Sequence, residues 1–341
     1  MADQCPHCHT HNNFRGRFCS NCGFDLEEGR PMERNFLTTV LIGIAAIGVL
    51  LLIIEALLFT TNAYEILNLV SGTSTFYIFI PGPYPILTIS GVYLQAYWAL
   101  VVLSILFSAA YMIIKFVLSF SERSTVKTEN TGAFWTFNTA FLSMTLYFII
   151  TTFVIILELE GVSSPFEEYN VLEMIYLLAE ASFWEEISMR VLLIGVPIMI
   201  ISLAVNRKAS ALKSILGGSG ICTVSIVLIF ISAVVFGIAH SGWEQDWKIL
   251  DTALAGLLYG YVFVRFGLYA SILSHFLTNF SSAFALLGYE MFGNVIFYIM
   301  IFAGFLMLSF ILSKVNGIME RTNALPTFSD ANVRMKQESE P

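Results

Sequence analysis

Between residues 36 and 313 the chain is a succession of apolar runs separated by short polar breaks, and this pattern leaves few folds open to it. A helix crossing a hydrocarbon core of ~30 Å needs ~20 apolar residues. Eight runs qualify or come close: 36 to 59, 92 to 120, 134 to 157, 171 to 205, 217 to 240, 249 to 265, 269 to 288 and 291 to 313. The expected fold is an all-α polytopic membrane protein of about eight transmembrane helices with a small zinc ribbon at its N-terminus. The charged share of 12% and mean hydropathy of +0.76 agree with this, since soluble chains carry about 25% charged residues. The stretch 72 to 91 contains Pro81, Pro83 and Pro85, cannot run as a straight helix, and reads as an extramembrane or interfacial loop.

The basic residues supply a second, independent test, because cytoplasmic loops carry the excess of Lys and Arg. Of the 17, all but Arg190 and Lys248 fall on one side of the bundle when the eight runs alternate across it. The expected location is therefore the cell membrane, multi-pass, with both termini cytosolic. The net charge of -8 says little about partners, because topology does not follow net charge. The surrounding partner is lipid, and no nucleic-acid partner is expected. Four units follow: a ribbon over 1–34, N-terminal transmembrane helices over 35–169, a second transmembrane bundle over 170–313, and a polar cytosolic tail over 314–341.

Four of the five cysteines lie within the first 22 residues, as Cys5-Pro-His-Cys8 and Cys19-Ser-Asn-Cys22. Each CxxC pair can place two thiolates on one tetrahedral ion, and two pairs so close together are a structural zinc signature. A segment this short cannot bury an adequate core, so the metal would supply most of its folding free energy. Four thiolates close the coordination sphere, which points to docking of a partner protein rather than catalysis. Cys222 stands apart within an apolar run and reads as a small buried hydrophobe.

Ionisable groups at membrane depth cost ~2.5 to 3.5 kcal/mol each on insertion scales, so their accumulation marks function by default. Three runs carry them. The fourth holds Glu185, Glu186 and Arg190, the fifth ends in Phe236-Gly-Ile-Ala-His240, and the seventh holds His275 and Asn279. Glu186 and Arg190 are four apart on one helical face and can neutralise each other. Glu185 is rotated by about 100° and lacks that partner, as suits a general base. His275 and Asn279 are again four apart, so both project into one cavity and can donate to a developing oxyanion. Glu173 and Glu180, seven apart on one face, either line a water-filled entry or lie near the outer interface, and the second is the preferred reading.

These residues resemble the CPBP family of membrane proteases, which includes the CAAX prenyl endopeptidases of the glutamate type and bacteriocin-processing or immunity relatives. The motifs EExxxR, FxxxH and HxxxN occur in order, as Glu185-Glu186-Ile-Ser-Met-Arg190, Phe236-Gly-Ile-Ala-His240 and His275-Phe-Leu-Thr-Asn279. The resemblance covers roughly 170 to 290. It implies that Glu185 and His240 activate water, that His275 and Asn279 stabilise the oxyanion, and that Glu186 with Arg190 holds the site. The substrate it implies is a peptide or lipid-anchored protein, and the family leaves open whether a catalytic metal takes part. Competing readings are a non-catalytic scaffold or bacteriocin-immunity-type protein, and a proton-relay transporter. The intact acid, imidazole and amide set favours hydrolysis over the scaffold, and the absence of repeated broken helices disfavours the transporter. Counting along ideal helices puts His240 near the external face and His275 about two turns from the cytosolic one, so either the fifth helix starts deeper in the cytosol or the segment 241 to 252 folds back into the membrane before the short sixth.

Overall fold

The computed structural model describes residues 36–70, 72–79, 83–121, 127–157, 169–205, 211–241 and 247–323. Cys5, Cys8, Cys19 and Cys22, and with them the expected ribbon, lie outside the described residues, as does the tail beyond Asn323. The chain is a helical membrane protein. Its elements are α1 (Phe36–Leu69), a hairpin of β1 (Thr73–Phe79) and β2 (Pro83–Ser90), α2 (Val92–Leu118), α3 (Gly132–Ile156) and α4 (Val171–Glu186). A π-helical stretch, Ile187–Gly195, then leads into α5 (Val196–Val205), α6 (Ala211–Ile215), α7 (Thr223–Ala239) and α8 (Lys248–Phe266). Last come α9 (Leu268–Phe280), α10 (Ala283–Leu286) and α11 (Glu290–Asn323).

All eight apolar runs become helical, but among the described residues only six helices are long and apolar enough to cross a membrane. The fifth and seventh runs fall short, for a local reason. Gly217, Gly218, Gly220 and Gly267 all adopt positive φ, which stops helix on both sides of the α8 terminus. The last carbonyls of a helix run short of intrahelical donors. Of the two in α8 that the loop bonds, only Phe263 O has one, Gly267 N–H at 2.9 Å. The glycine loop adds donors to both, Gly218 N–H to Phe263 O at 2.9 Å and Gly220 N–H to Val264 O at 3.0 Å. Leu268 N–H returns a bond to Leu216 O at 2.7 Å. The result is a 17-residue α7 of about 25 Å and a 13-residue α9 of about 20 Å, both shorter than a full crossing. At the other extremes, α1 runs on to Leu69 and α11 to Asn323, past the expected ends at 59 and 313.

Two expectations are corrected here. Residues 73–90 are an antiparallel hairpin rather than an irregular loop, with Thr73 opposite Ser90 and a register shift at Phe76/Tyr77. Its strands are rich in β-branched and aromatic residues, and Pro83 and Pro85 sit on the exposed strand, where lost donors are tolerated. Cys222 is exposed at the N-cap of α7, where its backbone N–H donates to Ser225 Oγ at 2.8 Å.

The main core gathers α1, α2, α3, α4 and α9 around Phe59, Trp98, Phe276 and Phe280. Phe59 meets Trp98, Phe276 and Phe280 at ring distances of 5.6, 5.5 and 5.7 Å. α7 and α8 are joined differently, through small residues that let backbones approach. A Cβ added to Gly237 would stand 2.5 Å from Ile249 O and 2.9 Å from Ala253 Cβ, and one on Gly256 would lie 3.0 Å from Ala233 Cα. Gly237→Val is therefore expected to destabilise the fold by about 1 to 3 kcal/mol through overpacking, read as a lowered unfolding midpoint in detergent. An unchanged midpoint would mean that the α7–α8 seam yields freely.

Candidate active site

α4 presents its acids where the helix changes form. Glu185 and Glu186 end the regular turns, and the following residues take the wider π pattern, with Val196 N–H bonding to Val191 O. Pro197, just beyond, offers no N–H to the turn before it, which favours such a loosening. Glu186 and Arg190 stay on one face across this stretch. Arg190 Nε lies 3.2 Å from Glu186 Oε2, and both side chains are sealed from solvent at 0% exposure.

Glu186 has more to hold than the guanidinium. His275 Nδ1 lies 3.0 Å from its Oε1, and Ser271 donates to its Oε2. Since a carboxylate in an ion pair only accepts hydrogen bonds, Nδ1 of His275 carries a proton and donates it. The opposite ring nitrogen, Nε2, lies 3.6 Å from Glu185 Oε2. His275 thus bridges the two adjacent acids, one sealed and one accessible. Glu185 keeps 25% of its side-chain surface, which makes it the carboxylate that water and substrate can reach. The expectation that Glu185 lacks the Arg190 partner agrees with this geometry, but Glu185 does have a neighbour in His275.

Aromatic rings fix the imidazole and the guanidinium. Tyr259 stacks on His275 at 5.0 Å with an interplanar angle of 24°. Phe236 lies edge-on to His275 at 5.9 Å and to His240 at 4.9 Å, while the Arg190 guanidinium sits 5.1 Å from its centroid. Arg190 Nη1 also donates to Ser232 Oγ at 2.8 Å, and that hydroxyl donates to Met189 O at 2.8 Å. Arg190 is therefore clamped between α4 and α7.

His240 caps α7. Its Nδ1 is 2.9 Å from Phe236 O, and a carbonyl accepts only, so Nδ1 donates and the lone pair of the neutral ring lies on Nε2. The two imidazoles share the Phe236 ring, so the depth mismatch expected of full-length helices is closed by the shortened α7 and α9. Asn279 is placed otherwise. It faces α4, but its Nδ2 is directed to Ser182 Oγ at 3.3 Å and Leu178 O at 3.4 Å, one turn and more before Glu186. Glu185, Glu186, Arg190 and His275 form one connected cluster, His240 adjoins it through Phe236, and Asn279 is tied to its wall.

Sequence reasoning missed Ser232, Ser271 and Tyr259, because each acts on a residue at least 12 positions away and no spacing rule links them. It also missed the hairpin's part. Trp184, next to Glu185, donates from Nε1 to Tyr77 O at 3.0 Å. Phe76 meets Trp184 at 4.8 Å and Tyr97 at 4.7 Å. Tyr97 OH in turn donates to Glu180 Oε1 at 3.0 Å. Tyr97 thereby ties Glu180 of α4 to α2.

Among the described residues no three His, Cys, Asp or Glu side chains converge as a metal-ligand group. Comparison with curated proteins and with solved structures gives no match. Residues 167–281, which carry Glu185, Glu186, Arg190, His240, His275 and Asn279, match the family described as Type II CAAX prenyl endopeptidase Rce1-like.

Proposed function

We propose that this protein is a membrane endopeptidase that hydrolyses a peptide bond in membrane-associated substrates, prenylated CAAX-type peptides above all. The observation that carries the reading is the accessible Glu185 carboxylate 3.6 Å from an imidazole whose far nitrogen is fixed by a sealed second acid. Glu185 takes a proton from water, with the Nε2 lone pair of His240 holding that water in place. The nascent hydroxide attacks the scissile carbonyl. With hydrogen on both ring nitrogens, His275 keeps Nδ1–H on Glu186 and turns Nε2–H to the developing oxyanion. One such donor contributes ~10² to 10³-fold. Glu186 and Arg190 position that imidazole. Asn279 reaches the oxyanion only by leaving Ser182, and as placed it ties α9 to α4.

The basic residues place both termini in the cytosol in this reading, and the paired cysteines at 5, 8, 19 and 22 hold a structural zinc that docks a protein partner. A prenyl chain would stay in the bilayer while the peptide enters beside Glu185. The test is the full chain reconstituted in liposomes with a farnesylated CAAX peptide in water enriched in ¹⁸O. One ¹⁸O in the new carboxylate, on an internal fragment boundary, is the expected product. Failure of the wild-type protein to cleave farnesylated or unmodified peptide would return the chain to the scaffold reading.

A further inference from the structure

The helices that carry the site run between two ends of the bundle, and their packing differs along that length. One end holds the start of the chain. Asn138 Nδ2 of α3 donates to Leu41 O near the start of α1 at 3.3 Å, so both helices begin there. α9 begins there too, because Tyr269 stands against Gly132, the first residue of α3, and Leu268 is bonded to the glycine loop. The hairpin marks the other end, since it links the end of α1 to the start of α2.

From the acids toward the start of the chain the interior is closed. Glu186, Arg190, Ser232 and Ser271 are all at 0% exposure. One turn further, Ile194, Ile229, Phe263 and Val264 make an apolar plug, none of them more than 8% exposed. The loop 216–220 lies behind it, bonded to Phe263 O and Val264 O. Water finds no polar partners in such a plug, and voids lined by apolar side chains stay dry. Toward the hairpin the packing opens. α7 stops at His240, beside the cluster around Glu185, whereas α4 runs on to Val171, about 20 Å further. α7 therefore flanks α4 only as far as the acids. Glu185 and His240, both partly exposed, stand at this step, and Tyr77 of the hairpin is bonded to Trp184 at its edge.

We propose that the site opens only to the hairpin face, opposite the start of the chain, and that its substrate is a membrane-tethered peptide whose scissile segment is displayed on that face. The assignment rests on the endopeptidase reading above and narrows it. The excess of Lys and Arg marks the opposite face as cytosolic, so the peptide is presented from the non-cytosolic side. A prenylated peptide is a substrate only where it is held in that leaflet. The hairpin, outside the matched residues 167–281, is then a rim that the N-terminal half of the chain adds to the entrance.

Access can be read without relying on catalysis. The full chain, with an epitope before Met1, is reconstituted in liposomes, and vesicles that expose the epitope are separated from those that protect it. A cationic, membrane-impermeant methanethiosulfonate is added outside, and its adducts are located by mass spectrometry. Native Cys222, exposed at the start of α7, reports the epitope face. In Glu185→Cys the introduced thiol should react at least about tenfold faster in epitope-protected vesicles, because a fixed charge does not cross the bilayer. Cys222 should show the reverse preference. His240→Cys repeats the measurement should Glu185→Cys not fold, and Ile194→Cys, in the plug, should resist modification from either face. Modification at position 185, 240 or 194 from the epitope face, or at none of them from either face, overturns the assignment. The wild-type chain given a charged farnesylated peptide outside should cleave it in epitope-protected vesicles alone. No cleavage even after detergent opens the vesicles removes the endopeptidase reading, while the labelling still decides the direction of access.

Discussion

Replacing Glu185 with glutamine lowers kcat/KM on a reconstituted farnesylated peptide by about 10² to 10⁴-fold and leaves the unfolding midpoint in place. The two halves of this expectation have different sources. Activity falls because an amide of the same shape cannot take a proton from water. Stability holds because Glu185 is a quarter exposed and forms no ion pair with Arg190, so neutralising it strands no buried charge. Its neighbour provides the contrast. Glu186→Gln removes the counter-ion of Arg190 and leaves one acceptor oxygen where His275, Ser271 and Arg190 use two, so both readouts should drop together. Should the two variants behave alike, the division between a reacting acid and a holding acid would be wrong.

That division was half visible in the residues alone. The four-residue spacing of Glu186 and Arg190 marks them as a pair, and the rotation of Glu185 away from Arg190 follows from helical geometry. What spacing could not show is that His275 stands between the two acids, since the contact joins residues 89 positions apart. The same limit hides Ser232 under Arg190 and Ser271 under Glu186. The bundle was legible because lipid imposes a length on every crossing. The exceptions arise where glycines at positive φ cut α7 and α9 short, and where a Pro-punctuated apolar stretch pairs with itself as a hairpin. Glu55 escaped notice altogether: one acid in a long apolar run, it is fully buried in α1 with no hydrogen-bond partner for its carboxylate among the described residues.

The second large effect is on stability. Arg190 is sealed at 0% exposure, paired with Glu186, bonded to Ser232 and packed against Phe236. Arg190→Leu leaves the Glu186 carboxylate buried without its counter-ion, and breaking a buried pair from one side costs about 3 to 5 kcal/mol. A marked fall in unfolding free energy in mixed micelles is therefore expected. Glu186→Leu alone should do similar damage by stranding the guanidinium. Removing both partners is another matter, because a buried ion pair replaced by apolar residues of similar volume is often neutral or stabilising. The double variant Glu186→Leu/Arg190→Leu should recover most of the lost stability, yet it should remain inactive, because His275 has then lost the acceptor that orients Nδ1. Recovery of stability without recovery of cleavage would assign the pair to holding the imidazole. Recovery of both would show that neither residue is needed for the chemistry, and the cluster around Glu186 would then be a packing solution only.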